Sequence, residues 1–156
     1  CSKHELIKSE FNTYCRWRKG ILDRLEVQKQ EESKKFRKLE VEFVYGPTGT
    51  GKTKYAVESH PNAYKIQGSD LDWFDGYDGQ KTLIIDEYAN DVKITKMLGL
   101  LDGYQLRLPV KGGFTYALWE KVIITSNLNP AELHPQANDA HQKALRRRIT
   151  RTIFMK

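Results

Sequence analysis

Eight consecutive residues in the first half of the chain have the types and spacing that bind nucleotide phosphates. Residues 46–53 are Gly-Pro-Thr-Gly-Thr-Gly-Lys-Thr, which satisfies the phosphate-loop pattern G-x-x-x-x-G-K-[ST] in full. Glycines let such a loop wrap closely, so that successive backbone N–H groups at a helix N-terminus face the phosphates. We expect Lys52 to contact the β and γ phosphates of ATP and the Thr53 hydroxyl to bind Mg²⁺. The candidate ATP-binding residues are Gly46, Pro47, Thr48, Gly49, Thr50, Gly51, Lys52 and Thr53.

Two adjacent acids follow a second apolar segment. Residues 82–85 are Thr-Leu-Ile-Ile, as expected for a strand covered on both faces, and Asp86 and Glu87 come next. Ligands of open α/β sheets bind at the carboxyl ends of strands. We predict that Asp86 holds Mg²⁺ through water and that Glu87 polarises the attacking water. An acid pair favours hydrolysis, because a small-molecule kinase needs no water-activating base.

Asn127 and an arginine cluster are weaker candidates for the same chemistry. Asn127 follows the apolar strand predicted over residues 122–126 and could hold the attacking water, although an amide there is usually a turn residue. Arg146, Arg147 and Arg148 lie near the C-terminus. A guanidinium can neutralise transition-state charge, often from a neighbouring subunit. The helix dipole explains a basic helix end equally well.

A predicted hairpin carries the candidate nucleic-acid contacts. Residues 105–110 and 114–118 are the two strands, and Lys111, Gly112 and Gly113 form the turn. A mobile tip with one cation and the aromatic Phe114 could follow a DNA backbone, with the lysine on phosphate and the ring on sugar or base. An ordinary exposed hairpin is the alternative. The candidate DNA-binding residues are Lys111, Gly112 and Phe114.

These candidates must be positioned by alternating strands and helices. Further strands are predicted over 41–45, 63–66 and 150–155, and helices over 52–59, 91–101 with Asp91 as the cap, and from Asn138 or Asp139 to 148. Several strands are wholly apolar, which favours an α/β fold with a mainly parallel sheet and helices on its faces. At the start, apolar residues over 5–25 indicate one helix or two helices broken near Gly20, and residues 26–38 a solvated helix or linker.

Composition favours one folded domain and leaves several classes out. The chain has 156 residues, of which 39% are apolar, and its longest apolar run, residues 97–101, is far short of the ~18 needed to span a membrane. No signal peptide is visible, and a first residue other than Met predicts a fragment of a longer chain. Cys1 and Cys15 predict reduced thiols, and the four histidines have no ligand spacing, so we assign them no metal.

The net charge of +6 is unevenly placed. Residues 1–40 carry 11 basic and 7 acidic side chains, residues 41–140 carry 9 and 13, and residues 141–156 carry 6 and none. A polyanionic partner is therefore plausible only at particular surfaces, and the overall charge by itself is weak support for nucleic-acid binding.

Together, the motifs resemble the superfamily 3 helicases of the AAA+ class. More narrowly, they are similar to the helicase portion of replication-initiator (Rep) proteins of circular single-stranded DNA viruses, of the circovirus and cyclovirus type. The resemblance covers about residues 10–156 and is firm from Val41 onward. It rests on the phosphate loop, Asp86-Glu87, Trp73-Phe74-Asp75-Gly76-Tyr77, the Lys-Gly-Gly hairpin within residues 104–113, Ile-Thr-Ser-Asn at 124–127, Arg147-Arg148-Ile149-Thr150 and, more loosely, residues 14–20.

The resemblance implies a ring assembly and a division of the chain. Residues 1–40 would form a helical oligomerisation segment, and residues 41–156 a P-loop ATPase domain, a three-layer sandwich of the AAA+ type. ATP and Mg²⁺ would sit between the subunits of a hexamer, with Lys111 on single-stranded DNA in the channel. Arg147 or Arg148 would reach the neighbour's ATP, and the sequence does not separate the two.

The resemblance further implies an upstream nicking nuclease domain, which nothing here matches, and work inside a host cell, in its nucleus if the source is viral. Glu87 departs from the second Asp that circovirus-type proteins often carry.

Two other functions remain open. A small metabolite kinase would need a lid and an acceptor site, whereas a DNA-binding oligomerisation module would use ATP only to stabilise a ring.

Overall fold

The computed structural model describes the backbone of residues 3–156 and the side chains from Trp17 onward. Cys1 and the side chain of Cys15 lie outside the described residues, as do the apolar side chains predicted to line the first helix before Trp17.

A five-stranded parallel sheet forms the centre of the fold. In spatial order its strands are β2 (Tyr64–Gln67), β3 (Thr82–Asp86), β6 (Lys121–Ser126), β1 (Glu40–Tyr45) and β7 (Arg151–Phe154). Strand β6 therefore lies between the strand that precedes the phosphate loop and the strand that ends in the acid pair. All four pairings are parallel, so the carboxyl ends of the strands share one edge.

Helices cover both faces of this sheet. Successive strand residues point to opposite faces, and in β3 Leu83 and Ile85 join one apolar cluster while Ile84 joins the other. Helix α2 (Lys52–Ser59) packs on the Ile84 face through Ala56. Helices α3 (Ile94–Leu100) and α4 (Asp139–Arg148) pack on the other face. The predicted three-layer α/β arrangement is therefore confirmed.

Most element boundaries agree with the prediction, one expectation, the Asp91 cap, is wrong, and of the two alternatives at Gly20 the single helix is observed. Asp91 does not cap α3, because its Oδ2 accepts the Ala89 N–H within a turn and the helix begins later, after Lys93. Gly20 does not break the first helix, since α1 runs uninterrupted over Lys3–Ser33. Asn138 caps α4 as expected, with its side chain accepting the His141 N–H at 2.8 Å.

Among the residues whose side chains the structure describes, helix α1 contacts the rest of the chain near its C-terminal end. Ser33 is fully buried and its hydroxyl accepts a hydrogen bond from Gln105 at 2.8 Å. Just beyond the helix, the buried Arg37 guanidinium donates to the carbonyl of Trp119 and stacks over its ring. In the described part of the chain, even this longest helix lacks the apolar stretch that would let it cross a membrane.

The predicted hairpin is a separate two-stranded sheet. Strands β4 (Arg107–Val110) and β5 (Gly113–Tyr116) pair antiparallel, with Val110 opposite Gly113. Leu108 and Thr115 form the buried side of the hairpin. The residues between the strands therefore form an exposed tip.

Candidate functional site

The phosphate loop is shaped by its glycines. Gly49 and Gly51 have φ of +84° and +85°, the left-handed region that glycine enters at little cost. At Gly46, a Cβ would lie 2.0 Å from the Met155 carbonyl oxygen, so no larger residue fits. The Lys52 ammonium donates to the carbonyl oxygens of Gly46 and Pro47 at 2.9 and 2.8 Å. The side chain is thus held within the loop.

Thr53 and Asp86 converge beside this loop, as the sequence predicts. The Thr53 hydroxyl, at the start of α2, donates to Asp86 Oδ1 at 2.7 Å. Mg²⁺ prefers hard oxygen ligands and commonly uses one or two carboxylates together with substrate phosphates and water. The hydroxyl and carboxylate oxygens therefore fit this ion, and these two residues would hold it.

The surroundings of Asp86 keep its carboxylate ionised. Burial by itself raises the pKa of Asp86, but hydrogen bonds from Thr53 and Thr125 outweigh it, with help from Lys65 and Gln67, so the pKa lies below its ordinary value. Lys65 Nζ lies 3.8 Å from Asp86 Oδ2. The group is therefore negatively charged at neutral pH, as a cation ligand must be.

Glu87 has a strained backbone that the neighbouring strand holds in place. Its φ is +52°, which is uncommon for a residue with a side chain. The Glu87 N–H donates to Thr125 Oγ1 at 3.0 Å, and the Tyr88 N–H donates to the Thr125 carbonyl at 2.8 Å. The Ser126 hydroxyl donates to the Tyr88 carbonyl at 2.5 Å. Thr125 and Ser126 thus fix the turn that presents the exposed Glu87 carboxylate.

Sequence reasoning missed Thr125, Lys65 and Gln67. Two polar residues at the end of an otherwise apolar strand were the available signal for Thr125, whereas nothing in the short β2 pattern marked Lys65 or Gln67. Asn127 follows Ser126 at the same edge of the sheet and is exposed. One edge thus gathers Lys52, Thr53, Asp86, Glu87 and Asn127.

A buried pair lies behind the acid turn. The Tyr88 hydroxyl forms a hydrogen bond with the His134 ring at Nε2, and the backbone N–H of His134 donates to Asn90 Oδ1 at 3.0 Å. Burial raises the pKa of Tyr88 and lowers the pKa of His134. The segment before α4 is thereby attached to the turn that follows β3 through uncharged groups.

The arginine cluster lies at the opposite end of the sheet within the same chain. Thr150 donates its N–H to the Val41 carbonyl at 2.8 Å, beside the first residues of β1, whereas the phosphate loop follows Tyr45. Val41 and Tyr45 are four residue steps apart along β1, which corresponds to about 13 Å. Arg148 contacts Asp102 at 3.5 Å and donates to the Ala144 carbonyl. The structure does not bring these arginines to the chain's own phosphate loop.

The hairpin residues belong to the separate two-stranded sheet and not to the sheet that leads into the phosphate loop. Lys111 and Gly112 form the exposed tip, and Gly112 has φ +85°. Phe114 is 48% exposed, and the guanidinium of Arg107, which sequence reasoning missed, lies 4.0 Å above its ring centroid. A cation stacked on an aromatic ring suits contact with nucleic-acid phosphates and bases.

These features define a P-loop nucleotide-binding protein of the α/β class: a parallel sheet, a phosphate loop between β1 and α2, and an acid pair at the end of β3. A family model described as RNA helicase matches residues 43–128, which is more than half of the chain. The chain belongs to this helicase family.

The curated relatives are viral replication-associated proteins. The replication-associated protein of Beak and feather disease virus is 38% identical over 115 residues, covering 73% of this chain and 38% of the relative. That of Canary circovirus is 32% identical over 150 residues, covering 95% and 50%. The chain thus spans half or less of the length of these relatives. Among solved structures, a Saccharomyces cerevisiae Hsp104–casein complex matches 77% of this chain and 29% of its own, at 16% identity and a TM-score of 0.48.

Proposed function

We propose that the chain is the ATP-dependent helicase portion of a viral replication-initiator protein. It would hydrolyse ATP with Mg²⁺, move along single-stranded DNA and unwind duplex. The observation that carries the proposal is the convergence of Thr53, Asp86 and Thr125 beside the phosphate loop, with Glu87 on the adjacent turn. The similarity to viral replication-associated proteins supports the biological setting.

The chain's own residues account for the chemistry as follows. The loop N–H groups and Lys52 bind the phosphates, and Thr53 and Asp86 hold the ion. When bound, Mg²⁺ would neutralise charge on the β and γ phosphates. Glu87 accepts a proton from the attacking water, which Asn127 orients from the end of β6. Because the Glu87 turn is fixed by Thr125, the carboxylate is positioned before the nucleotide arrives.

We further propose that Arg147 completes the ATP site of a neighbouring subunit. The chain leaves the cluster beside Val41, and β1 extends about 13 Å from there to the residue before the chain's own loop, which favours action in trans. Arg147 is exposed, whereas Arg148 is occupied by Asp102 and the Ala144 carbonyl. This difference favours Arg147 as the arginine that stabilises transition-state charge, with Arg148 fixing the end of α4.

A ring also needs a surface for association, and α1 supplies a candidate. Its described apolar side chains are largely exposed, with Trp17 71% exposed. Trp17, Ile21 and Leu25 recur at intervals of four, which places them along one side of the helix. We assign this stripe to contacts with other copies of the chain in a hexamer, and the exposed hairpin with Lys111 to DNA in the central channel.

The two competing functions make different predictions. A metabolite kinase would not have its ATP turnover stimulated by DNA. An oligomerisation module would bind ATP without turnover, which the position of Glu87 beside Asp86 argues against. The upstream nuclease domain and nuclear localisation remain predictions from the resemblance.

ATP hydrolysis with and without single-stranded DNA tests the proposal. The parent should hydrolyse ATP faster with DNA present. Glu87→Gln should bind ATP and lose nearly all hydrolysis, because the amide keeps the shape but accepts no proton, and Lys52→Ala should also lose binding. Glu58→Gln and Lys54→Ala, exposed on α2, are the matched controls. Parental hydrolysis by Glu87→Gln would contradict the role of Glu87.

A further inference from the structure

Two buried aromatic residues anchor the acidic loop that precedes β3. Phe74 and Tyr77 are 1% and 6% exposed, and their ring centroids lie 5.9 and 5.4 Å from that of Trp119. The Tyr77 N–H donates to the Phe74 carbonyl at 3.1 Å, which closes a four-residue turn. We call this the 74–77 turn. It carries Asp75 at its exposed corner.

The 74–77 turn is bonded directly to the hairpin. Asp75 Oδ1 accepts the backbone N–H of Lys111 at 2.7 Å. The neighbouring Phe74 N–H donates to the Pro109 carbonyl at 2.9 Å. The Asp75 carbonyl in turn accepts the Tyr64 hydroxyl at 2.7 Å, so the carboxylate is presented by a backbone that is itself held.

The hairpin tip has little else to fix it. Residues 111–114 are exposed, and a Cβ built on Gly112 or Gly113 would meet nothing within 4 Å. Within the described part of the chain, the bond from Asp75 is the only side-chain hydrogen bond to residues 111–113. Two glycines at a tip leave many backbone conformations accessible. The position of Lys111 therefore depends strongly on Asp75.

We propose that Asp75 is a positioning residue for nucleic-acid binding: its carboxylate fixes the Lys111 backbone and so restricts the positions from which the ammonium can bind a phosphate. The inference rests on the proposed DNA-binding role of the hairpin. Asp75 itself does not touch DNA, since a carboxylate would repel the phosphate backbone. It acts by reducing the conformational freedom that Lys111 would otherwise lose on binding.

The loop that carries Asp75 begins at the catalytic edge. The Gln67 amide at the end of β2 donates to Asp86 Oδ2 at 3.3 Å, and a Cβ at Gly68 would lie 2.8 Å from the Tyr88 Cα. The chain then passes through residues 69–73 to the 74–77 turn. Loss of the Asp75 bond should therefore reduce DNA stimulation of ATP hydrolysis.

Charge and hydrogen bonding make opposite predictions at this position, which gives a sharp test. Asp75→Ala removes both the negative charge and the acceptor, whereas Asp75→Asn removes the charge and keeps an acceptor oxygen. Asp72→Ala, at a nearby exposed acid of the same loop that pairs with Lys96, is the matched control for charge alone. Binding of labelled single-stranded DNA and hydrogen exchange across residues 107–116 are measured for each.

If Asp75 positions the tip, Asp75→Ala speeds exchange at the tip and weakens DNA binding about tenfold, as expected for loss of a hydrogen bond to a charged group. Asp75→Asn then binds at least as well as the parent. If only charge matters, Asp75→Ala tightens binding as Asp72→Ala does, which overturns the proposal. Unchanged exchange in Asp75→Ala overturns it as well.

Lys111→Ala separates this inference from the proposed function. Loss of DNA binding by Lys111→Ala, combined with parental binding by Asp75→Ala, overturns the positioning role alone. Parental DNA binding by Lys111→Ala overturns the assignment of the hairpin to DNA, and the inference with it.

Discussion

The Thr125 hydroxyl donates to Asp86 Oδ1 at 2.7 Å, although the two residues lie 39 positions apart in the chain. The Thr125 hydroxyl oxygen also accepts the Glu87 N–H at 3.0 Å. One buried hydroxyl at the end of β6 therefore orients both acids that end β3. Because Asn127 follows two residues later, the placement of all three polar groups depends on the same pair of strands.

Replacing Thr125 with Val should impair catalysis more than nucleotide binding. Valine keeps the shape but leaves the Asp86 oxygen and the Glu87 N–H each without this partner. We expect ATP hydrolysis to fall at least about tenfold and the free energy of unfolding to fall by about 1–3 kcal/mol. Thr125→Ser, which retains the hydroxyl, should recover most of both. Steady-state kinetics and urea denaturation provide the measurements, and equal kcat for the Val and Ser variants would contradict the role.

The arginine prediction is tested by mixing subunits. Arg147→Ala and Lys52→Ala chains, each inactive alone, should regain partial ATP hydrolysis when combined, because some boundaries then hold one intact half from each partner. Titration of one variant into the other measures the recovery. A mixture without any recovery would place Arg147 outside a shared site.

Arg148→Ala is the comparison for that experiment. The Arg148 guanidinium contacts Asp102, which lies just after the end of α3. We therefore expect Arg148→Ala to lower the melting temperature rather than to cause a specific loss of ATP turnover. Asp102→Asn should reproduce part of that thermal effect. If Arg148→Ala instead behaves like Arg147→Ala in the mixing experiment, the assignment between the two arginines is reversed.

A salt series should locate the DNA contacts. Lys111→Ala should reduce the slope of log affinity against log salt by about 1 per bound lysine, and binding can disappear when several subunits contribute. Arg107→Gln should weaken binding less, since its guanidinium is stacked on Phe114. Parental affinity and slope for Lys111→Ala, together with loss of binding for Arg151→Ala, would move the DNA site to the C-terminal arginines.

The sequence predicted the elements better than it predicted their side-chain contacts. Helix α2 and strand β3 begin and end where the patterns indicate, since the phosphate loop, Pro61 and the acid pair mark their limits. Asp91 failed as a cap because a preceding residue, Asn90, adopts φ +57° and directs the chain into a tight turn. Of the two alternatives left open at Gly20, the unbroken helix is the one observed, because one glycine costs a long helix only about 1 kcal/mol.

The side-chain partners of Thr125 and Arg148 could not be predicted from sequence patterns, because each partner lies on an element that is distant in the chain. The Thr125 hydroxyl meets Asp86 only because β6 lies between β1 and β3, and a list of strands does not give their order. The partner of Arg148 is Asp102, at the end of another helix. The family resemblance identified the motifs, whereas the bonds between motifs required three-dimensional structure.

Acidification should destabilise the fold through His134. Burial lowers the pKa of His134 in the folded chain, so below about pH 6.5, the ordinary value, the unfolded chain binds the proton more readily. The free energy of unfolding should therefore fall as pH drops from 7 to 5. In His134→Gln, whose stability at pH 7 is lower, this fall should be smaller. Urea denaturation at a series of pH values checks this, with His141→Gln on α4 as the control, and parallel curves for parent and His134→Gln would contradict it.

The separation of the two ends of β1 gives each chain a direction. The phosphate loop follows Tyr45 at one end, and Thr150 binds Val41 at the other. A site shared between such ends joins chains head to tail, so an open row of n chains contains n−1 complete sites, and closure of the row supplies the last one. If Arg147 acts on a neighbouring chain as proposed, turnover per chain is lowest for a single chain, rises with each addition and is greatest on closure. The rate of ATP hydrolysis per chain in a dilute sample would then depend on the protein concentration, because dilution separates the chains that complete each site.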